Sequence, residues 1–139
     1  MALYLWIPFF DHFLTQKLLF SKLKDKIPIE SQTGVVYQIP CQCGLKYYGQ
    51  TKQLLKNRIK QHKTDIINGQ PKTGLSSHVL EHHHQVQWDS IKIVDREKID
   101  EKRMFLEMAN IIRAEDSLNI QSDFNNQNNA YNHLLRKFK

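Results

Sequence analysis

Only two cysteines, five glycines and four prolines occur among the 139 residues. Cys41 and Cys43 lie one residue apart, a spacing at which they cannot easily form a disulfide with each other, and a small secreted scaffold normally carries more cysteines. A reducing, intracellular setting is therefore expected. Long hydrophobic runs are also missing. The opening MALYLWIPFF is apolar for only about ten residues, is broken by Pro8, and lacks a basic leader and a small-residue cleavage site. It reads as neither a signal peptide nor a membrane span. A third gap is in charge: from Ser31 to Thr64 there is no Asp or Glu, while Lys46, Lys52, Lys56, Arg58, Lys60 and Lys63 all fall there. With a formal net charge of +6 this segment suits either a phosphate-bearing partner or a plain solvated basic face.

The pattern along the chain predicts one modest domain. Residues 1–33 read as a lead-in, with an amphipathic helix expected from Phe13 to Lys26 (Leu14, Leu18, Leu19 and Leu23 among lysines). Pro28 and the polar run after it mark the start of a compact unit over 34–121. Val35 to Pro40 and Leu45 to Gln50 read as a hairpin. Thr51 is the expected N-cap of a helix reaching Ile67. A short helix from Ser76 to His82 and a strand around Ile91 to Val94 follow. Asp95 is the expected cap of a long helix to Ala114, with Met104, Phe105, Met108, Ile111 and Ile112 at helical spacing. Residues 122–139 are rich in asparagine and read as a polar tail, with one last turn around His133 to Phe138. The fold class expected is α+β, a small three-stranded antiparallel sheet flanked by helices.

Several residues break these patterns. In the hairpin GVVYQIPCQCGLKYYGQT, a three-residue turn at Cys41 to Cys43 puts Tyr37 opposite Tyr47, with Tyr48 on the other face. An aromatic pair in a core explains that placement, and so does a pair of phenols meant for chemistry. Arg58 and His62 are four apart on the apolar stripe of Leu55, Ile59 and Ile66, where snorkelling at the stripe's edge is the plain alternative. Glu107 lies in the stripe of the long helix. A buried carboxylate needs a partner, so it should meet Arg58, a lysine or a metal ion. Two phenols, a guanidinium, an imidazole and a carboxylate can together hydrolyse a phosphodiester. The guanidinium holds the phosphate, the carboxylate holds Mg²⁺, and a phenol or imidazole takes a proton.

Tyr37 in VVYQI, Tyr47-Tyr48-Gly49, Arg58 and His62 in LLKNRIKQH, Glu107 in FLEMA and Asn119 in SLNI resemble the motif series of the GIY-YIG nuclease domain. The version carried by Penelope-like retroelements is the more similar, with cysteines between its tyrosine motifs and histidines downstream. The likeness runs from about Gly34 to Ile120. It implies Tyr37 as general base with Tyr47 beside it and Gly49 closing the second motif. It further implies Arg58 on the scissile phosphate, His62 assisting proton transfer or phosphate contact, Glu107 as the Mg²⁺ ligand and Asn119 orienting the site. Val35 stands at the first motif's glycine, with Gly34 one position earlier, and Tyr48 replaces the second motif's isoleucine. Such nucleases usually follow a reverse transcriptase, which residues 1–33 could not contain; the chain thus resembles a truncated or stand-alone copy. DNA is the implied partner, the nucleus the implied location, and no membrane partner is expected.

Cys41 and Cys43 with His78 and His84 offer two thiolates and two imidazoles, the donor set of a tetrahedral zinc site. By spacing alone, an inert thiol pair and a solvated histidine run explain them as well; the resemblance favours zinc, with His82 or His83 as fallback ligands. The expected function is a metal-dependent DNA endonuclease, its basic lysines Lys46, Lys52, Lys56, Lys60 and Lys63 contacting the nucleic acid. The alternative is a catalytically inactive, zinc-containing nucleic-acid-binding remnant. A redox-active Cys-x-Cys protein lacks a thioredoxin-like context and ranks last.

Overall fold

A computed structural model describes residues 26–120 and Asp123. All but Lys26 of the predicted lead-in helix, and all but Asp123 of the asparagine-rich tail with its last turn, lie outside the described residues. Within them the α+β expectation holds. Strands β1 (Val35–Pro40), β2 (Lys46–Thr51) and β3 (Lys92–Arg96) form an antiparallel sheet in the order β2-β1-β3. Helices α1 (Leu55–Ile67), α2 (Gly74–His82) and α3 (Asp100–Arg113) flank it, with short 3₁₀ turns at Ile29–Ser31 and Trp88–Ser90. Among the described residues no helix is long and apolar enough to cross a membrane.

Alternation along the strands divides the sheet into two packed faces. Val35, Tyr37, Ile39 and Tyr47 meet Leu55 and Ile59 of α1 and Leu75 of α2, while on the opposite face Tyr48 meets Met108 and Ile111 of α3. Both faces are covered, so the strands carry few solvent-facing positions, and even Val36 is fully buried.

The hairpin differs from expectation by one residue at its turn. The three-residue loop is Gln42 to Gly44, closed by the Cys41 N–H donating to the Leu45 carbonyl (2.9 Å) and the Gly44 N–H to the Cys41 carbonyl (3.0 Å). Gly44 is the reason, because this loop type needs a left-handed residue at its third position and Gly44 has φ +90°. Moving the turn by one moves the pairing by two. Tyr37 therefore faces Gly49, and Ile39 faces Tyr47. Both tyrosines keep the same face, as diagonal neighbours rather than a direct pair.

Two expected helix caps are corrected. Thr51 ends β2, and its hydroxyl accepts the Gln53 N–H (3.0 Å), so α1 begins at Leu55 after an uncapped Leu54. Asp95 belongs to β3 and accepts from the Asn110 amide (2.6 Å), while α3 starts at Asp100. Among the described residues Thr73 supplies the one capping box, exchanging hydrogen bonds with Ser76 at the start of α2. On α3 the inward residues are Arg103, Glu107, Met108 and Ile111, and Phe105 and Ile112 lie toward the surface instead.

Candidate active site and metal cluster

Tyr37 is fully buried, and its hydroxyl is the centre of the larger constellation. It lies 2.8 Å from His62 Nε2 and accepts from Arg58 Nε at 3.3 Å. Helix α1 delivers both partners because Arg58 and His62 are one turn apart on a helix packed against this face of the sheet. The His62 ring also packs edge-on against Tyr47, with centroids 5.2 Å apart. Gly49 makes the close approach possible. A Cβ there would fall 2.6 Å from Tyr37 Oη and 3.0 Å from Tyr47 Cε1, so any side chain would displace a phenol. The structure thus brings Tyr37, Tyr47, Gly49, Arg58 and His62 together.

Glu107 reaches the same place from α3. Its carboxylate accepts the Gln50 backbone N–H and feels the charges of Arg58 and Arg103. Asn119 grips the body of β2, its Oδ1 accepting the Tyr48 N–H (2.9 Å) and its Nδ2 donating to the Tyr48 carbonyl (2.7 Å). The Lys46 N–H donates to the Asp116 carbonyl (2.7 Å). Alternate N–H groups along the free edge of β2, at Lys46, Tyr48 and Gln50, are thereby each satisfied by a different kind of acceptor. Glu107 and Asn119 have a structural duty as well as any chemical one.

Burial dominates the electrostatics. It pushes the Tyr37 and Tyr47 phenols well above the usual tyrosine range, although Arg58 pulls both down. Burial, and then the Arg58 charge, hold the His62 imidazole down at about 3. Glu107 is raised to about 8 by burial and by the negative charge of Asp123, against the pull of Arg58, Gln50 and Arg103. The free site near neutral pH therefore holds neutral phenols, a neutral imidazole and a largely protonated carboxyl, with Arg58 as the cation among them.

The second constellation lies at the hairpin tip. Cys41 Sγ and Cys43 Sγ are 3.5 and 3.4 Å from His78 Nε2, and His84 Nδ1 is 2.9 Å from the same nitrogen. All four donor atoms lie within 4.8 Å of one another. Tetrahedral zinc, with bonds of about 2.3 Å to sulfur and about 2.0–2.1 Å to nitrogen, holds its ligand atoms roughly 3.3–3.8 Å apart. This Cys₂His₂ group could hold a metal and is compatible with zinc. Residues Pro40 to Gln42 are pinned to Gln85 to Gln87 by backbone hydrogen bonds and by a bridge between Cys41 and Val86. His83, at φ 56°, turns the chain past the end of α2 so that His84 comes back toward His78. His82 stays on the helix, stacked on His84 and 3.8 Å from Glu81. The two cysteines form no disulfide, and burial pushes the Cys41 thiol up, the wrong direction for a reactive thiolate.

The basic residues divide. Lys52, Lys56, Lys60 and Lys63 are exposed, the last three on α1, with Lys63 over the Trp88 ring at 5.1 Å. Lys46 is drawn away from that group into an ion pair with Asp116 (3.0 Å). Sequence reasoning missed Asp123. Its carboxylate accepts from the Gly74 N–H (3.2 Å) and the Ile120 N–H (2.9 Å), and its charge reaches Tyr37, Tyr47 and Glu107. The only signal was a density of residues that hydrogen-bond locally, in Ser-Leu-Asn-Ile-Gln-Ser-Asp. Gln50, Gln61 and Arg103 were missed too, since a polar residue near a site leaves no periodic trace. Comparison of the chain with family models, curated proteins and solved structures returns no match.

Proposed function

We propose that this chain is a metal-dependent DNA endonuclease of the GIY-YIG type, acting on phosphodiester bonds as in retroelement insertion in the nucleus. The observation that carries the reading is the hydroxyl of Tyr37, held between His62 Nε2 and Arg58 Nε over a glycine that leaves room for it. Arg58 would hold the scissile phosphate and offset its developing charge. Tyr37 would take the proton of the attacking water, its own proton leaving through His62, and the arriving phosphate and metal would redistribute the charge that keeps it neutral in the free site. Tyr47 walls the site and fixes the His62 ring, and Asn119 holds β2 in place.

Glu107 suits Mg²⁺, which binds through one or two carboxylates and completes its shell with water and substrate phosphate. A carboxyl raised to about 8 by burial and by a neighbouring negative charge is one that a cation would stabilise in its ionised form. Bound there, the ion would supply Lewis-acid stabilisation of the leaving oxygen. Zinc at Cys41, Cys43, His78 and His84 would be structural, since four protein ligands leave no open position for substrate.

Plasmid nicking tests the reading. With Mg²⁺, Tyr37→Phe and Glu107→Gln should each lower the rate by about 100-fold or more while circular dichroism stays native. Equal cleavage by both variants and the wild type, or cleavage without a divalent ion, overturns it. A second reading, a zinc-containing nucleic-acid-binding remnant, draws on the edge-satisfying roles of Glu107 and Asn119, which need no catalysis. Salt-dependent binding with no turnover would select it.

A further inference from the structure

Beside the tyrosine site a cleft of about 380 Å³ opens between the end of β2, the start of α1 and the first turn of α3. Gln50, Lys52, Arg58, Gln61, Asp100 and Arg103 line it. Arg58 belongs to both places. Its Nε points at Tyr37, while its Nη1 donates to Gln61 Oε1 at 2.6 Å. The far wall is built around Arg103, only 2 % exposed, whose donors go to Gln50 Oε1 (2.7 Å), to the Glu97 and Lys98 carbonyls (3.1 and 3.3 Å) and to Asp100 Oδ1 (2.5 Å).

These bonds fix which end of each amide is already engaged. The oxygens of Gln50 and Gln61 are both occupied by guanidinium donors, which leaves the NH₂ group of each carboxamide to donate to an incoming ligand. Lys52 and Arg58 add charged donors. The one carboxylate in the lining, Asp100, is engaged by Arg103, and its pKa is lowered by that hydrogen bond and by the nearby Lys52. Three cations against one anion, with amide hydrogens left to donate, suit a ligand that only accepts. A nucleobase edge mixes donors and acceptors, whereas a phosphodiester presents acceptors alone.

We propose that this cleft binds a DNA backbone phosphate flanking the scissile one, with Lys52, Gln50 and Gln61 as its donors and Arg58 shared between the two phosphates. The inference rests on the nuclease reading for its substrate. It makes the cleft a register-setting element that grips DNA without regard to sequence.

A scan of short duplexes, each with one neutral methylphosphonate linkage, tests it by fluorescence anisotropy in the absence of Mg²⁺. At one linkage the wild type should lose about tenfold in affinity. Lys52→Ala should bind more weakly, ignore that linkage, and show a log–log salt slope shallower by about one. Lys56→Ala, on α1 but outside the cleft, should stay sensitive to the linkage. No sensitive linkage in the wild type, or equal sensitivity in Lys52→Ala, overturns the proposal. Binding needs no turnover, so the two readings separate. Linkage-specific binding without nicking sinks the nuclease and keeps the cleft, while nicking with linkage-indifferent binding does the reverse.

Discussion

The one hairpin, β1 and β2, holds two constellations that are built in opposite ways. At its middle, Tyr37 and Tyr47 meet His62 inside the main hydrophobic cluster, joined by ordinary hydrogen bonds and ring contacts. At its tip, Cys41 is buried but Cys43 is exposed, and the sulfurs and imidazoles converge on a point where like partners crowd together. Neutral imidazoles and thiols gain little from such crowding; a cation at the centre would make it favourable. The middle is thus core first and site second. With the zinc proposed for it, the tip would depend on its metal, and the two should fail differently.

Removing the proposed zinc should have the largest effect. Chelation, or Cys43→Ser, should cost at least about 3 kcal/mol, short of the roughly 10–16 kcal/mol that whole zinc-finger peptides draw from their metal, because this chain has a core besides. That corresponds to a fall in Tm of more than about 10 °C for a domain of this size. Metal analysis of the purified protein should find one zinc per chain. Substoichiometric zinc with an unchanged melting curve after chelation would make the tip an inert cluster.

Gly49→Ala should come next, at about 2–3 kcal/mol, because its new methyl meets a buried phenol that has nowhere to go. Gly69→Ala is the control. It faces open space and bears only the strain of φ +64°, so it should cost about 1 kcal/mol. Chemical denaturation of the two variants checks this, and equal midpoints would mean that Tyr37 yields easily and the middle is less tightly built than its contacts imply.

Much of the site was legible because its residues violated periodic patterns. Tyr37, Tyr47, Arg58, His62 and Glu107 each stood where an aliphatic residue would have served, and period-2 and period-3.6 arithmetic was enough to place them on common faces. The turn was misplaced by one residue because the preference of Gly44 for a left-handed backbone competed with a symmetric placement about the cysteines. The Thr51 and Asp95 caps were misread for a related reason: a residue that can cap a helix can equally end a strand, and only the sheet register decides between them. Asp123, Gln50 and Gln61 were illegible because their importance comes from partners 49 and 53 positions away, Gly74 for Asp123 and Arg103 for Gln50, or from another side chain's orientation, and neither leaves a local mark.

The smallest expected effect is on pH dependence, and it isolates the middle from the tip. Folded Glu107 keeps its proton up to about 8, whereas the unfolded chain releases it near 4.5. Between those values unfolding releases a proton, so rising pH weakens the fold. His62 works the other way, since it stays neutral down to about 3 when folded and takes a proton near 6.5 when unfolded, so stability rises with pH between those values. The two slopes oppose each other from about 4.5 to 6.5, and above 6.5 only the fall due to Glu107 is left. Unfolding free energy should therefore drop by about 1–2 kcal/mol from pH 6.5 to 8. In Glu107→Gln that drop should vanish, and subtracting one profile from the other cancels the directions due to Cys41 and His78 at the tip. Saturating Mg²⁺ should also abolish the drop in the wild type, because a bound cation would hold the carboxylate ionised. A drop that persists with Mg²⁺ would leave Glu107 as a strand-edge acceptor and remove it from the metal site.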